Sequence, residues 1–226
     1  GRACDAVGAT PHGQGHETID KQIGCGTLGL DPDRVGVIEG DTDAVSFGTG
    51  TGGSRTATIG SAAVLCAMEK VISKTKKIAA HAMEVAEADV SFEEGQFTIA
   101  GTDRTMPFLD VAVLAFDPLN LPASIEPTLA ELASYSPEVE NFPNGCHIVE
   151  VEITPGTGEI SLDRYSVVDD CGTELNPLLV NGQVHGGIAQ GVGQALMENM
   201  VYERGSGVSP AGGVFPLSGA SPPFPG

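Results

Sequence analysis

The stretch Gly40-Asp41-Thr42-Asp43-Ala44-Val45-Ser46-Phe47-Gly48-Thr49-Gly50-Thr51-Gly52-Gly53-Ser54-Arg55-Thr56-Ala57-Thr58-Ile59-Gly60-Ser61 decides how the chain is read. It lies between a short apolar run, Arg34 to Glu39, and the longest amphipathic pattern in the sequence. Glycine has no Cβ and tolerates φ > 0, so backbone N–H groups here can approach a ligand closely. The hydroxyls and Arg55 add side-chain donors, and the following helix offers the positive end of its dipole. Such a loop suits a phosphate or a pyrophosphate-bearing cofactor. It lacks the Gly-Lys-Ser/Thr ending of a nucleoside triphosphatase loop, which argues against kinase or ATPase chemistry.

Downstream of that loop, Ser61 to Ala86 reads as the clearest helix. Val64, Leu65, Met68, Val71, Ile72, Ile78, Ala79, Ala82 and Met83 recur at helical spacing opposite Glu69, Lys70, Lys74 and Lys77. Upstream, residues 1 to 10 suggest a strand, and Glu17 to Leu28 a short helix with Ile19, Ile23 and Leu28 on one face. Gly24 and Gly26 weaken that helix, each by on the order of 1 kcal/mol relative to Ala. Val90 to Phe92 and Phe97 to Ile99 form a hairpin about Glu94-Gly95, and residues 107 to 145 are broken by prolines. A second hairpin pairs His147 to Ile153 with Glu159 to Val168 about Pro155-Gly156-Thr157-Gly158. A glycine-dense helix follows from about Val180 to Glu203; so much glycine implies close backbone approach to a neighbour or ligand. The Gly/Pro/Ser-rich tail, 205–226, buries too little to repay its ordering entropy and reads as disordered or irregular.

The 226 residues carry 30 acidic against 11 basic side chains, a net charge of −19. Nucleic acid and anionic membrane surfaces would repel such a chain. With 41% hydrophobic residues and a mean hydropathy of +0.06, it can build a core. No run of about eighteen apolar residues stands out as a membrane span, and no signal-peptide layout opens the chain. Five scattered cysteines without a CxxC pair argue for reduced thiols, and against a disulfide framework or an iron–sulfur cluster held here. A cytoplasmic location is expected.

Several acidic and imidazole groups admit sharper readings that the spacing does not favour. His16-Glu17 is not the start of an HExxH zinc site, because Asp20 stands where the second His is needed. His12 and His16 read as surface or supporting groups. Asp41, Asp43, Asp169 and Asp170 read as turn-capping residues. Cys171 reads as a small buried residue, with no neighbouring His to activate it.

Taken in order, His12-Gly13-Gln14-Gly15-His16-Glu17-Thr18, Gly40-Asp41-Thr42-Asp43, Gly52-Gly53-Ser54-Arg55, Asp169-Asp170-Cys171-Gly172 with Asn176-Pro177, and Gly182-Gln183-Val184-His185-Gly186-Gly187 form a series. That series resembles the molybdopterin-binding large subunit of the xanthine dehydrogenase, aldehyde oxidase and carbon-monoxide dehydrogenase family, from about Gly8 to Gly207. The resemblance implies an α+β fold of mixed hairpins and packed helices. It implies a molybdenum–molybdopterin cofactor, in bacteria often the cytosine dinucleotide form. Partner subunits would carry FAD and [2Fe-2S] clusters, and a small-molecule substrate would be hydroxylated with oxygen from water. By position, Gln14 with Gly15 and Gln183 match two pterin-contacting glutamines. Gly52, Gly53, Ser54 and Arg55, with Thr56, match the loop that cradles the phosphates, and Gly186 and Gly187 let the glycine helix approach the cofactor. No catalytic residue and no metal ligand is assigned within this stretch. The family's substrate-side loop would lie upstream of Gly1 and its general-base glutamate downstream of Gln183, and the pattern is lost after about Gly207. The expectation is an interior piece: residues 1–204 a partial molybdopterin-binding domain, 205–226 an aberrant tail. Such a piece should not catalyse alone. The alternative is a catalytically inactive piece acting at most as a structural or interaction module.

Overall fold

A computed structural model describes residues 1–199, 202–207 and the backbone of 215–216. The fold is α+β. The chain divides into two compact units, Gly1–Val139 and Glu140–Gly226.

The first unit begins with β1 (Ala3–Val7), α1 (His16–Leu28) and β2 (Val35–Glu39). The strands pair in parallel, Ala3 opposite Val35 and Val7 opposite Glu39, with α1 as the crossover. Both carboxyl ends of the sheet therefore lie at one edge. Helix α2 (Ala62–Ala82) follows, entered through a π turn at Thr56–Ser61. Its buried positions are Val64, Met68, Thr75, Ile78, Ala79 and Ala80. Leu65 and Ala82, expected on the apolar face, are exposed. Thr75 takes an inward place because its Oγ1 donates to the Val71 carbonyl at 2.7 Å, which satisfies the hydroxyl inside the helix.

Together the π turn and α2 span 27 residues, Thr56–Ala82, long and apolar enough by length and composition to cross a membrane. The helix nevertheless packs one face on the core of its unit and carries Lys70, Lys74, Lys76 and Lys77 on the other. It is a core helix.

Strands β3 (Val90–Glu93), β4 (Gln96–Ile99) and β5 (Thr105–Pro107) form an antiparallel meander. The two-residue turn Glu94-Gly95 has φ of 46° and 76°, the positive pair that matches strand twist in a tight hairpin. Gly29 ends α1 with φ 64° and lies against this turn. A Cβ on Gly95 would stand 2.9 Å from the Gly29 carbonyl oxygen, so the two backbones touch only because both residues are glycine. Helix α3 (Phe108–Leu114) was not legible among the prolines, yet Phe108, Val111 and Ala115 bury one stripe of it. Phe92, Phe97 and Phe108 pack together, with centroids 4.6 to 6.4 Å apart.

In the second unit β6 (Asn144–Ile153) and β7 (Ile160–Asp170) form the expected hairpin, three residues longer at its open end on β6. Ile148, Val149, Val151, Ile153, Ile160 and Val168 are exposed, so neither face of the hairpin is covered within the described residues. Asn176 caps α4 (Pro177–Val192), its side chain accepting from the Leu179 N–H, with Pro177 in the first turn. The glycine helix is shorter than expected: it loosens into a π turn at Gly193–Met197 and is extended by Glu198. Two glycines around that point offer little helical propensity to carry it further. Strand β8 (Glu198–Asn199) pairs with β9 (Phe215–Pro216), an ordered exception within the stretch expected to be irregular. The rest of the tail expectation, beyond Gly207, lies outside the described residues.

Candidate functional site

Two loops leave the carboxyl edge of the parallel pair, each running into the N-terminus of a helix. The first, Gly8 to Gly15, follows β1 and enters α1; the second, Gly40 to Arg55, follows β2 and enters the π turn before α2. In open sheets this edge is where ligands are held, because strand ends and helix N-termini present unpaired donors together.

Backbone packing locks the loops to one another. A Cβ on Gly8 would stand 2.7 Å from the Phe47 carbonyl oxygen, and one on Gly48 would collide with the Gly8 carbonyl. The Gly50 N–H donates to the Gly8 carbonyl at 3.3 Å. The Thr10 N–H donates to Thr51 Oγ1 at 3.2 Å, and Thr51 Oγ1 lies 3.1 Å from Thr56 Oγ1. Thr10 and Thr51 are thus a bridge that motif reading did not single out; no spacing rule links a backbone N–H to a hydroxyl 41 residues away.

Of the predicted residues of this unit, Gln14, Gly15, Gly52, Gly53, Ser54 and Arg55 lie on these loops and Thr56 opens the π turn. Gln14 is half-buried, and its Oε1 accepts from the His12 N–H at 2.7 Å, leaving the amide N–H₂ without a partner among the described residues. Gly15 stands at the start of α1 with φ 81°, and no side chain caps that helix. Gly53 and Ser54 have φ of 61° and 56°, consecutive left-handed residues that turn the loop outward. Gly52, Gly53, Ser54 and Arg55 are exposed, and among the described residues Arg55 makes no ion pair. Thr56 is half-buried through its Thr51 contact. The π turn likewise has no side-chain cap. The edge therefore gathers two uncapped helix starts, a guanidinium and a free amide, a donor set suited to an anionic ligand with a polar ring edge.

Gln183, Gly186 and Gly187 belong to α4 in the second unit, and all three are exposed. A Cβ on Gly182, Gly186, Gly187 or Gly191 would meet nothing within 4 Å. The close approach expected of this helix is thus not made to anything within the described residues.

A polar floor lies below the first-unit loops. The buried stripe of α1 is His16, Asp20, Gly24 and Leu28, four residues apart throughout, rather than Ile19, Ile23 and Leu28. Gly24 permits this: a Cβ there would press within 3.1 to 3.4 Å of Val35, Met68 and Asp5, so α1 settles on its glycine side. His16, expected at the surface or as a supporting group, is buried, its Nδ1 2.9 Å from Glu39 Oε1. The Ser61 hydroxyl donates to Asp20 Oδ1 at 2.7 Å. Asp20 Oδ2 and Asp5 Oδ2 are both buried without a hydrogen-bond partner. Burial, and then repulsion from Asp20, push the Asp5 carboxyl up to about 6; burial likewise raises that of Asp20, against the Ser61 hydrogen bond. The four-residue repeat through His16 was the available signal, hidden because three of its members are not apolar.

Other expectations divide. Asp41 caps its turn, accepting from the Asp43 and Ala44 N–H groups at 2.9 and 3.3 Å, and Asp170 accepts from the Gly172 N–H at 3.0 Å. Asp169 lies 3.4 Å from His147 Nε2 instead. Cys171 is exposed, because the chain turns at Gly172 (φ 76°) where β7 ends. All five cysteines are free thiols. A shallow cavity of about 630 Å³ lies along the lysine face of α2, bounded by Cys66, Lys70, Lys74 and Glu126, and takes in none of the predicted residues.

Two donor-rich loops at the carboxyl edge of a parallel pair fit a cofactor-binding domain. The chain belongs to the molybdopterin cofactor-binding domain family, whose model matches residues 1–211. It is 36% identical over 204 residues to the carbon monoxide dehydrogenase large chain of Hydrogenophaga pseudoflava, covering 90% of this chain and 25% of that one. The nicotine 6-hydroxylase large subunit of Paenarthrobacter nicotinovorans is 32% identical over 222 residues, covering 96% and 27%. The crystal structure of quinoline 2-oxidoreductase from Pseudomonas putida 86 superposes with a TM-score of 0.81 at 35% identity, covering 90% and 26%. The chain spans about a quarter of the length of these relatives. These relatives are oxidoreductases or hydroxylases by name.

Proposed function

We propose that this chain supplies cofactor-binding walls of a molybdenum hydroxylase large subunit, and that its ligand is molybdopterin in the cytosine dinucleotide form. The observation that carries the reading is the locking of loop 8–15 to loop 48–56 through Gly8, Gly48 and the Thr10–Thr51 hydrogen bond. It supports a reading in which the Gln14 amide on one loop and the Ser54–Arg55 donors on the other serve one ligand, a pterin and its phosphates. The Gln14 amide can donate to a pterin ring edge. Backbone N–H groups of Gly52 and Gly53, the Ser54 and Thr56 hydroxyls and the Arg55 guanidinium would hold phosphate oxygens, with the uncapped start of α1 at Gly15 adding its dipole. Gln183, Gly186 and Gly187 of α4 are proposed as further cofactor contacts on their motif match alone.

When bound, the cofactor supplies the redox chemistry that inserts a water-derived oxygen into a small substrate. The residues of this chain bind and orient it. We assign none of them as a proton acceptor for substrate, and on this reading the chain by itself would be catalytically inactive. FAD and [2Fe-2S] groups would reside on partner subunits, and the assembly would work in the cytoplasm. Carbon monoxide, nicotine and quinoline are named for the relatives; aldehydes and purines fit the same reading here.

The test is to produce the large subunit containing this stretch in a host that makes the cofactor. Molybdenum is then measured by elemental analysis and the nucleotide released by mild acid. Molybdenum and cytidine monophosphate in equal amounts support the reading. A folded, metal-free and nucleotide-free protein favours the alternative, a structural or interaction module.

A further inference from the structure

Between β1, α1, β2 and the π turn, the first unit buries more negative charge than it can pair. Asp20 is 1% exposed; Ser61 satisfies Oδ1, while Oδ2 has no partner. Asp5, projecting from β1, also presents a buried Oδ2 with no partner. Around them stand His16 and Cys25 from α1, Glu39 from β2 and Ser61 from the π turn, while Met68 of α2 and Val35 of β2 meet Asp5 at Gly24. The one imidazole is already committed to Glu39, and no Lys or Arg among the described residues forms an ion pair with either aspartate. A buried carboxylate oxygen without a donor is costly, and two such groups close together cannot both ionise cheaply. A cation is one remedy, but among the described residues no three His, Cys, Asp or Glu side chains gather to hold one. A proton is the other.

We propose that one of the buried carboxyls of Asp5 and Asp20 stays protonated, and that this acid pair is the positioning element that seats the π turn Thr56–Ser61 on α1. Ser61 is the link: its hydroxyl joins Asp20, and the turn it closes carries Arg55 and Thr56 at its opposite end. With the proton in place, the pair bears one negative charge, which the Ser61 hydroxyl and the nearby His16 offset. When the proton leaves, both buried carboxyls carry charge with Glu39 acting on Asp20, Asp20 is pushed from its seat and the turn loosens. The result is a pH-sensitive brace beneath the loop; that the loop binds cofactor rests on the function proposed above.

The test is made on the 226-residue chain without cofactor, so its failure is separate from failure of cofactor binding. Carbon-13 carboxyl titration should place the Asp5 midpoint near 6, and Asp20→Asn should lower the Asp5 proton affinity at least threefold. Backbone hydrogen exchange, corrected for intrinsic rate, should show the Ile59 and Ala62 amides at least threefold less protected at pH 7.5 than at pH 5. Asp5→Asn should abolish that difference. Two aspartates that both titrate near 4 in the unmodified chain overturn the retained proton, and that measurement needs no variant to fold. Protection at Ile59 and Ala62 that ignores pH overturns the positioning role.

Discussion

Ser61 and Asp20, 41 residues apart, meet in a buried hydrogen bond of 2.7 Å that ties the entry of α2 to the middle of α1. It is a side-chain link between the π turn that follows loop 40–55 and the βαβ unit. Replacing Ser61 with Ala leaves both Asp20 oxygens buried without a donor. A hydrogen bond to a charged group contributes roughly 1.5–3 kcal/mol, so the variant should lose about that much stability. Urea unfolding measures it; a midpoint within error of the parent would show that Asp20 finds another donor.

The contact of Gly29 with Gly95 predicts a larger loss. Gly29 has φ 64° and no room for a Cβ against the Gly95 backbone. Left-handed strain costs roughly 1–2 kcal/mol and overpacking about 1–3. Gly29→Ala should therefore cost about 2–5 kcal/mol by chemical denaturation, while Gly26→Ala, where a Cβ meets nothing within 4 Å, should be neutral or stabilising. Equal effects at the two positions would contradict the close packing of α1 on the hairpin turn.

Stability should also depend on pH through Asp5. Its carboxyl is raised from 3.8 to about 6, first by burial and then by Asp20, so between those values the folded chain binds more protons than the unfolded one. This contribution is fully present below about 3.8 and is lost as pH rises through about 6. Subtracting the Asp5→Asn stability curve from that of the parent isolates it. The difference should fall between pH 4 and 6 and flatten above; parallel curves would remove Asp5 from the account.

Much of this architecture is legible in residue order, but unevenly. The hairpins declare themselves through alternation about Glu94-Gly95 and Pro155 to Gly158, since local turn chemistry fixes them. Helix α2 declares itself through an apolar stripe. Helix α3 does not: seven residues between prolines give too short a period to detect. The inward face of α1 misleads for a different reason. His16 and Asp20 are buried through Glu39 and Ser61, partners on other elements that no local pattern announces. Of the site, the positions of Gln14 and Arg55 follow from motif order, whereas the Thr10–Thr51 bridge that joins their loops is a purely tertiary fact.

Arg55 gives the sharpest test of the proposed ligand. It is exposed, without an ion-pair partner among the described residues, and its substitution should leave the fold intact. In the cofactor-loaded large subunit, Arg55→Ala should remove a charge-assisted contact of roughly 1.5–3 kcal/mol to a phosphate, lowering cofactor affinity by about ten- to a hundredfold. Arg55→Lys should recover part of it, because a point charge replaces a planar two-pronged donor. Molybdenum retained after dialysis, read beside an unchanged thermal midpoint of the cofactor-free chain, separates binding from folding. Full retention in Arg55→Ala would mean that the phosphates lie elsewhere and that the left-handed turn at Gly53-Ser54 serves the fold alone.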